Sequence, residues 1–338
     1  MPHKTASRYR PTYRAEEISL IMRLAKRGES LGLMGLAGVG KSNVINYLRS
    51  LQGKTPPAQS NGGQLHFPIV DATQWQGTPN SLWFMMADAL NDVVKGLAVP
   101  PPDIKVIPMS EDERAFKSVQ VRLKWLCQDL MHKVMFVLDD FDGVLEAGPL
   151  DMLERLNGLR SEGNREHLSY LVFTKRLPHI LGRGYGLGDK SKFYDLFRNR
   201  IYALEPYSRN DAMQMLTHLN GLQGNPLSGR QLEQIRQLTG GHARLIKIVF
   251  DLWAEEGATG PKVTFFTSEP AVIAECHRIL KNLHEDEQEA ALAAAQGRDT
   301  AEHVELLDHL RRRGMLLKME PVTWFSPVID RFLSTFQP

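Results

Sequence analysis

Gly35-Leu36-Ala37-Gly38-Val39-Gly40-Lys41-Ser42 is the stretch on which the fold of this chain turns. It fits G-x-x-x-x-G-K-[ST] and comes after an apolar run, Ser30-Leu31-Gly32-Leu33-Met34, that reads as a short buried strand. The pattern after it predicts a helix from about Lys41 to Leu51. Strand, glycine loop and helix in that order are what cradling a phosphate requires. Gly35, Gly38 and Gly40 let successive backbone N–H groups turn inward around an anion. The N-terminus of the next helix adds positive dipole. Lys41 can reach β and γ phosphates, and the Ser42 hydroxyl can ligate Mg²⁺. Ala37, Val39 and Asn43 complete the expected nucleotide-binding positions.

A phosphate loop of this kind works with a carboxylate at the end of a neighbouring strand, which holds Mg²⁺. Val134-Met135-Phe136-Val137-Leu138, five consecutive apolar residues, reads as a strand covered on both faces, and it ends in Asp139-Asp140. Asp139 is assigned to the metal shell and Asp140 to polarising an attacking water. The alternative is that both acids only end a strand and cap the next turn of chain. Asp142 is given a capping or structural role. Leu168 to Phe173 reads as a further strand ending in Thr174-Lys175-Arg176. If it lies beside the loop strand, Thr174 and Arg176 face a γ-phosphate; otherwise they are a solvated strand end. Arg198 and Arg200 precede a shorter strand, Arg200 to Leu204, where an arginine can reach a neighbouring subunit's nucleotide or simply mark an exposed helix end. With a second strand at His66–Val70 and helices at Asn80–Lys95 and Glu111–His132, strands and helices alternate, which predicts βαβ units and a parallel sheet.

After Pro206 the pattern is helical only, with Ser208 placed to cap the first helix. The last segment reads as three helices and then two short apolar pieces, Met315–Lys318 and Val322–Phe325, an order that suggests a winged helix-turn-helix. The expected domains are a basic arm and nucleotide-proximal segment over 1–28, an α/β core over 29–206, a helical lid over 207–260 and a winged helix over 265–338.

Composition sets outer bounds. The chain has 338 residues, 42% hydrophobic and 24% charged, the profile of an ordinary globular protein rather than a disordered one. No apolar stretch approaches the length of a membrane span, and the N-terminal residues lack the apolar segment of a secretory signal. Two distant cysteines, Cys127 and Cys276, exclude a disulfide framework and fit a reducing, cytoplasmic compartment. The net charge is +2, but residues 1–14 carry Lys4, Arg8, Arg10 and Arg14 with no acid. From Phe265 onward the net charge is −4. The histidines show no metal-binding spacing; His303 and His309 read as a solvated helix, and the five tryptophans as core or interface.

Taken in order, these elements resemble the STAND class of P-loop ATPases within the wider AAA+-like group. Tyr13-Arg14-Ala15-Glu16-Glu17 is similar to a box upstream of the loop that usually opens with glycine. Leu138-Asp139-Asp140 resembles the family's acidic strand end, and Phe173-Thr174-Lys175-Arg176 its sensor. Leu204-Glu205-Pro206-Tyr207-Ser208 resembles the entry to its lid. Thr239-Gly240-Gly241-His242-Ala243-Arg244 is similar to a lid element that meets the nucleotide, with Ala243 where the family has proline. The resemblance implies a sheet of order 5-1-4-3-2 and ATP/ADP rather than GTP. It also implies nucleotide contacts from Arg14, His242 and Arg244, and a switch that oligomerises or releases a partner.

Three functions stand as expectations. The first is an ATP-binding, slowly hydrolysing switch that controls self-assembly or a separate protein. The second is a DNA-associated AAA+ ATPase, initiator-like or transposition-regulator-like, that oligomerises on DNA with ATP. The basic arm and Arg311-Arg312-Arg313 favour this reading and the acidic last segment opposes it. The third is a nucleotide-stabilised scaffold with negligible turnover. Asp140, where fast AAA+ motors carry glutamate, makes slow hydrolysis the expectation.

Overall fold

The computed structural model describes residues 12–51, 63–97, 99–102, 110–161, 163–176, 191–256 and 263–337. The basic residues Lys4, Arg8 and Arg10, most of the loop from Gly53 to Gly63, and the stretch 257–262 lie outside them. Contacts divide the chain into two compact units. One comprises Glu16–Met34 and Ser42–Tyr202; the other comprises Met1–Ala15, Gly35–Lys41 and Ala203–Pro338.

The first unit is built on a parallel sheet. Its strands are β1 (Leu31–Gly35), β2 (Leu65–His66), β3 (Ile69–Asp71), β4 (Lys133–Asp139), β5 (Leu168–Thr174) and β6 (Ile201–Leu204), in the order β2-β4-β5-β1-β6, with β3 also on β4. β2 and β3 hold one register against β4, from Leu65↔Lys133 to Asp71↔Asp139. They are therefore one edge strand interrupted at Phe67-Pro68, where proline has no N–H to donate and an edge position tolerates it. Counted this way the order is 5-1-4-3-2, as expected. The sequence reading of one strand over His66–Val70 is corrected only by that break.

β4 and β5 explain themselves by burial. Val134 to Leu138 and all of Leu168 to Thr174 are buried, which only a central strand covered on both faces achieves. Around them Phe193 packs edge-on to Tyr170 and Phe197, with ring centres 5.6 and 5.3 Å apart. Trp83, Phe136 and Phe141 close the same core. The expected helix Glu111–His132 is shorter than its pattern. It is capped by Ser110 and Glu113 in a reciprocal box, runs to Lys124, and passes into a π turn, Trp125–Asp129. There Leu130 N–H reaches back to Trp125 O, and Trp125, Leu126 and Cys127 are buried in succession. Met131 at φ +54 then releases the chain into β4.

Beyond Pro206, the described residues of the second unit are helical apart from one hairpin. Helices Arg209–Leu222, Gly229–Thr239 and Ala243–Glu256 precede Pro270–Lys281, Glu285–Ala295 and Val304–Arg312. The antiparallel pair β7 (Leu316–Met319) and β8 (Val322–Trp324) and a closing helix, Pro327–Thr335, complete it. Ser208 caps the first helix by accepting from Asp211 N–H. Ser326 Oγ donates to Leu238 O, tying the closing helix to Gly229–Thr239.

In this unit one sequence expectation is narrowed and another corrected. Of Arg311-Arg312-Arg313, Arg313 is buried and both oxygens of Glu287 accept from its Nη1 at 2.8–2.9 Å, while Arg311 and Arg312 are exposed and pair with Asp308. His309 is not a solvated helix residue: its side chain is only 13% exposed, with Nδ1 3.1 Å from Glu287 Oε1. The cause is shared, because a buried carboxylate must be paired, and Glu287 draws in both the guanidinium and the imidazole.

Candidate functional site

Within the second unit, the phosphate loop meets the helices beyond Pro206. Gly38 and Gly40 take φ of +79° and +110°, values costly for any residue with a side chain. Around Gly38 there is also no room: a Cβ there would lie 2.6 Å from Glu275 Oε1 and 2.9 Å from the His242 ring, and closer still to Arg278 Nη2. His242 Nε2–H donates to Ala37 O at 2.8 Å, while its Nδ1 accepts from Leu245 N–H, which fixes the neutral tautomer. Burial is the main reason that its pKa drops to about 4; the Ala37 hydrogen bond opposes this and the Arg278 and Arg244 charges add to it. Arg244 N–H donates to Gly38 O at 3.2 Å.

Arg14, expected near a nucleotide base, lies beneath the loop. It is 1% exposed, and its Nη2 donates to Val39 O and Glu205 O at 3.1 and 3.0 Å. Its guanidinium carbon lies 4.5 Å from the centre of the Tyr207 ring, and its backbone N–H donates to Asp211. Tyr13, which stands where the resembled box has glycine, packs edge-on against Tyr207. Arg14, with Tyr13 beside it on Tyr207, therefore braces the loop.

In the first unit, the ends of β4 and β5 carry the expected acids and sensors. Met34, the residue before Gly35, stands opposite Thr174 in the β1–β5 register. Thr174 is fully buried, and its Oγ1 has no hydrogen-bond partner among the described residues. Asp139 accepts from Asp140 N–H at 3.0 Å. Asp140 is left-handed at φ +46°, a conformation that Asp and Asn tolerate better than most residues and that collects at functional sites. Its Oδ1 is 3.7 Å from Lys175 Nζ, a part-exposed pair the sequence reading did not single out, although Lys175 sits between two residues it did. Asp142 accepts from Lys175 N–H at 2.8 Å and so joins the two strand ends, the structural role assigned to it. Arg176 is half-buried, and its Nε has no partner among the described residues. Arg200 pairs with Glu29 of its own chain at 3.1 Å, and its backbone O accepts from Gly32 N–H.

Lys41 and Ser42 open the helix Lys41–Leu51, Ser42 exposed and Asn43 half-buried. Each unit by itself fits part of a Mg·nucleotide. The loop is a cradle that side chains would fill, and at the ends of β4 and β5 the carboxylates suit a hard cation that keeps most of its water, with the buried Thr174 hydroxyl unpartnered among the described residues. Among the described residues no cluster of three or more His, Cys, Asp or Glu forms a metal site by itself, and no helix is long and apolar enough to cross a membrane. Glu275 and Arg278 are the residues that sequence reasoning missed. Their three-residue spacing on one helix marks them as a pair, but nothing in the sequence directs that pair to Gly38.

No protein-family model and no curated protein matches the sequence. Among solved structures, the chain is similar to a Walker-type ATPase of Pyrococcus abyssi, with TM-score 0.61 and 13% identity over 94% of each chain. It is also similar to the ORC2 protein of Aeropyrum pernix in its ADPNP–ADP complexes, with TM-score 0.56 and 14% identity over 98% of this chain and 93% of that one. The ADP form of the same protein gives TM-score 0.51 and 15% identity. The fold is that of the AAA+ P-loop ATPases.

Proposed function

We propose that this chain is an ATP-binding and slowly hydrolysing switch of the AAA+ group, with STAND-like organisation, that controls self-assembly or a separate protein partner. The observation that carries this reading is the seating of the phosphate loop. Its carbonyls at Ala37, Gly38 and Val39 are hydrogen-bonded by His242, Arg244 and Arg14, so occupancy of the loop is felt at once by the residues after Pro206. Such coupling is what a switch needs, since a ligand shifts an equilibrium only through contacts that differ between the two states. The likeness to nucleotide-complexed structures supports ATP and ADP as ligands.

In this reading Lys41 and the loop N–H groups hold the phosphates, Ser42 and Asp139 hold Mg²⁺, and Asp140 orients the attacking water. Thr174 and Arg176 meet the γ-phosphate, and Arg200 acts on a neighbouring subunit's nucleotide. Bound Mg²⁺ supplies charge neutralisation of the phosphates. Residues 207–260 serve as a lid and 265–338 as a winged helix. Asp140 as the base, with Lys175 beside it, accords with low turnover.

A DNA-associated AAA+ ATPase that oligomerises on DNA with ATP is the second reading, favoured by the whole-chain likeness to the ORC2 protein. The burial of Arg313 removes one of its supports. Light scattering with no nucleotide, with ADP and with Mg·AMP-PNP, each repeated with duplex DNA, separates the two. Growth in mass with Mg·AMP-PNP alone supports the switch. Growth only when DNA is added replaces it with the second reading.

A further inference from the structure

The charges packed on Gly38 do not balance. Glu275, on the helix Pro270–Lys281, is 3% exposed and serves two cations at once. Its Oε2 accepts from Arg278 Nε at 2.8 Å and lies 3.2 Å from Arg244 Nε, and its Oε1 accepts from Arg278 Nη2. His242, the other titratable group against Gly38, is neutral. Among the described residues packed on Gly38, one carboxylate therefore faces two guanidiniums, a surplus of one positive charge. Arg278 is 35% and Arg244 60% exposed, so both forks can turn. Planar guanidiniums bind carboxylate and phosphate in the same bidentate geometry, which makes the two anions direct competitors.

We infer that Glu275 is a latch competed by phosphate. It occupies Arg244 and Arg278 at the loop, and the terminal phosphate of a nucleoside triphosphate draws them off it. Arg278 is thus a nucleotide-binding residue supplied by the C-terminal segment, and the latch discriminates triphosphate from diphosphate. The inference rests on the reading of Gly35–Ser42 as a nucleotide site. Release of Glu275 would signal the triphosphate state to the helix that carries it.

The test is calorimetric titration of the full chain with Mg·ATPγS and with Mg·ADP, for wild type, Glu275→Gln, Arg278→Gln and Arg278→Lys, with melting curves as folding controls. Glu275→Gln removes the competitor, and ATPγS affinity is expected to rise about tenfold relative to ADP. Arg278→Gln is expected to lower ATPγS affinity about tenfold with little effect on ADP. Arg278→Lys, which keeps charge but not the fork, is expected to fall between, and it decides the matter if the Gln variants do not fold. A triphosphate-to-diphosphate ratio equal to wild type in the folded variants overturns the latch while leaving the nucleotide site standing. Failure of wild type to bind either nucleotide overturns both.

Discussion

Asp140 shows how much one residue carries. Its left-handed backbone is a conformation that asparagine shares, so Asp140→Asn removes the charge without adding strain. In single-turnover hydrolysis this variant is expected to lose activity by at least about a hundredfold with melting temperature near that of wild type. Unchanged turnover would return Asp140 to the structural role that was its alternative. Arg313 makes a different point, since the sequence grouped it with Arg311 and Arg312 although its side chain is as buried as the Glu287 it pairs with. Burial pushes the Glu287 carboxyl up, but the His309 hydrogen bond and the Arg313 charge outweigh it and hold the pKa at about 2. That contribution to stability is complete above pH 4.5 and is lost as pH falls toward 2. Removing one partner of so buried a pair leaves an uncompensated charge. Arg313→Met is therefore expected to cost about 3–5 kcal/mol in denaturant unfolding, and a cost below about 1 kcal/mol would contradict the pairing.

Two elements hold buried, neutral imidazoles. His66 Nε2 at the edge strand lies 2.9 Å from His132 Nδ1, and His242 is enclosed just before the helix Ala243–Glu256. Burial is the main cause of both depressions, each to about 4 from 6.5. A depressed folded pKa on a base means that the unfolded chain takes up protons first as the solution acidifies. Both contributions are complete above pH 6.5 and fade as pH falls through 6.5 toward 4. The melting temperature is expected to drop between pH 7 and pH 5, and to drop less in His66→Gln. An equal drop in the variant would contradict the buried, neutral state of His66. At this scale the sequence was legible where periodicity and punctuation agreed. The five apolar residues of β4 and the Ser208 cap could be read directly. The π turn at Trp125–Asp129 could not, because it keeps an apolar helical pattern while changing the hydrogen-bond ladder.

Across the whole molecule, the fold was written locally and much of the site was not. Strand–helix alternation gives the parallel sheet, the family resemblance implies its order 5-1-4-3-2, and the structure has both. The loop's glycines announce themselves by spacing. The groups that press on the loop come from far along the chain: Arg14 from before it, His242 and Arg244 from two hundred residues later, and Glu275 and Arg278 later still. No spacing rule reaches so far, and only folding brings Glu275 to Arg244. Local patterns therefore picked out the loop, and the resemblance its neighbours His242 and Arg244, while its contacts with Glu275 and Arg278 became visible only in three dimensions.

The central claim is that Gly35–Ser42 binds nucleotide, and calorimetric titration of wild type and Lys41→Ala with Mg·ATP tests it most directly. Wild type is expected to bind, and Lys41→Ala to lose at least about tenfold in affinity while melting at a similar temperature. Equal affinity in the two proteins would contradict the account.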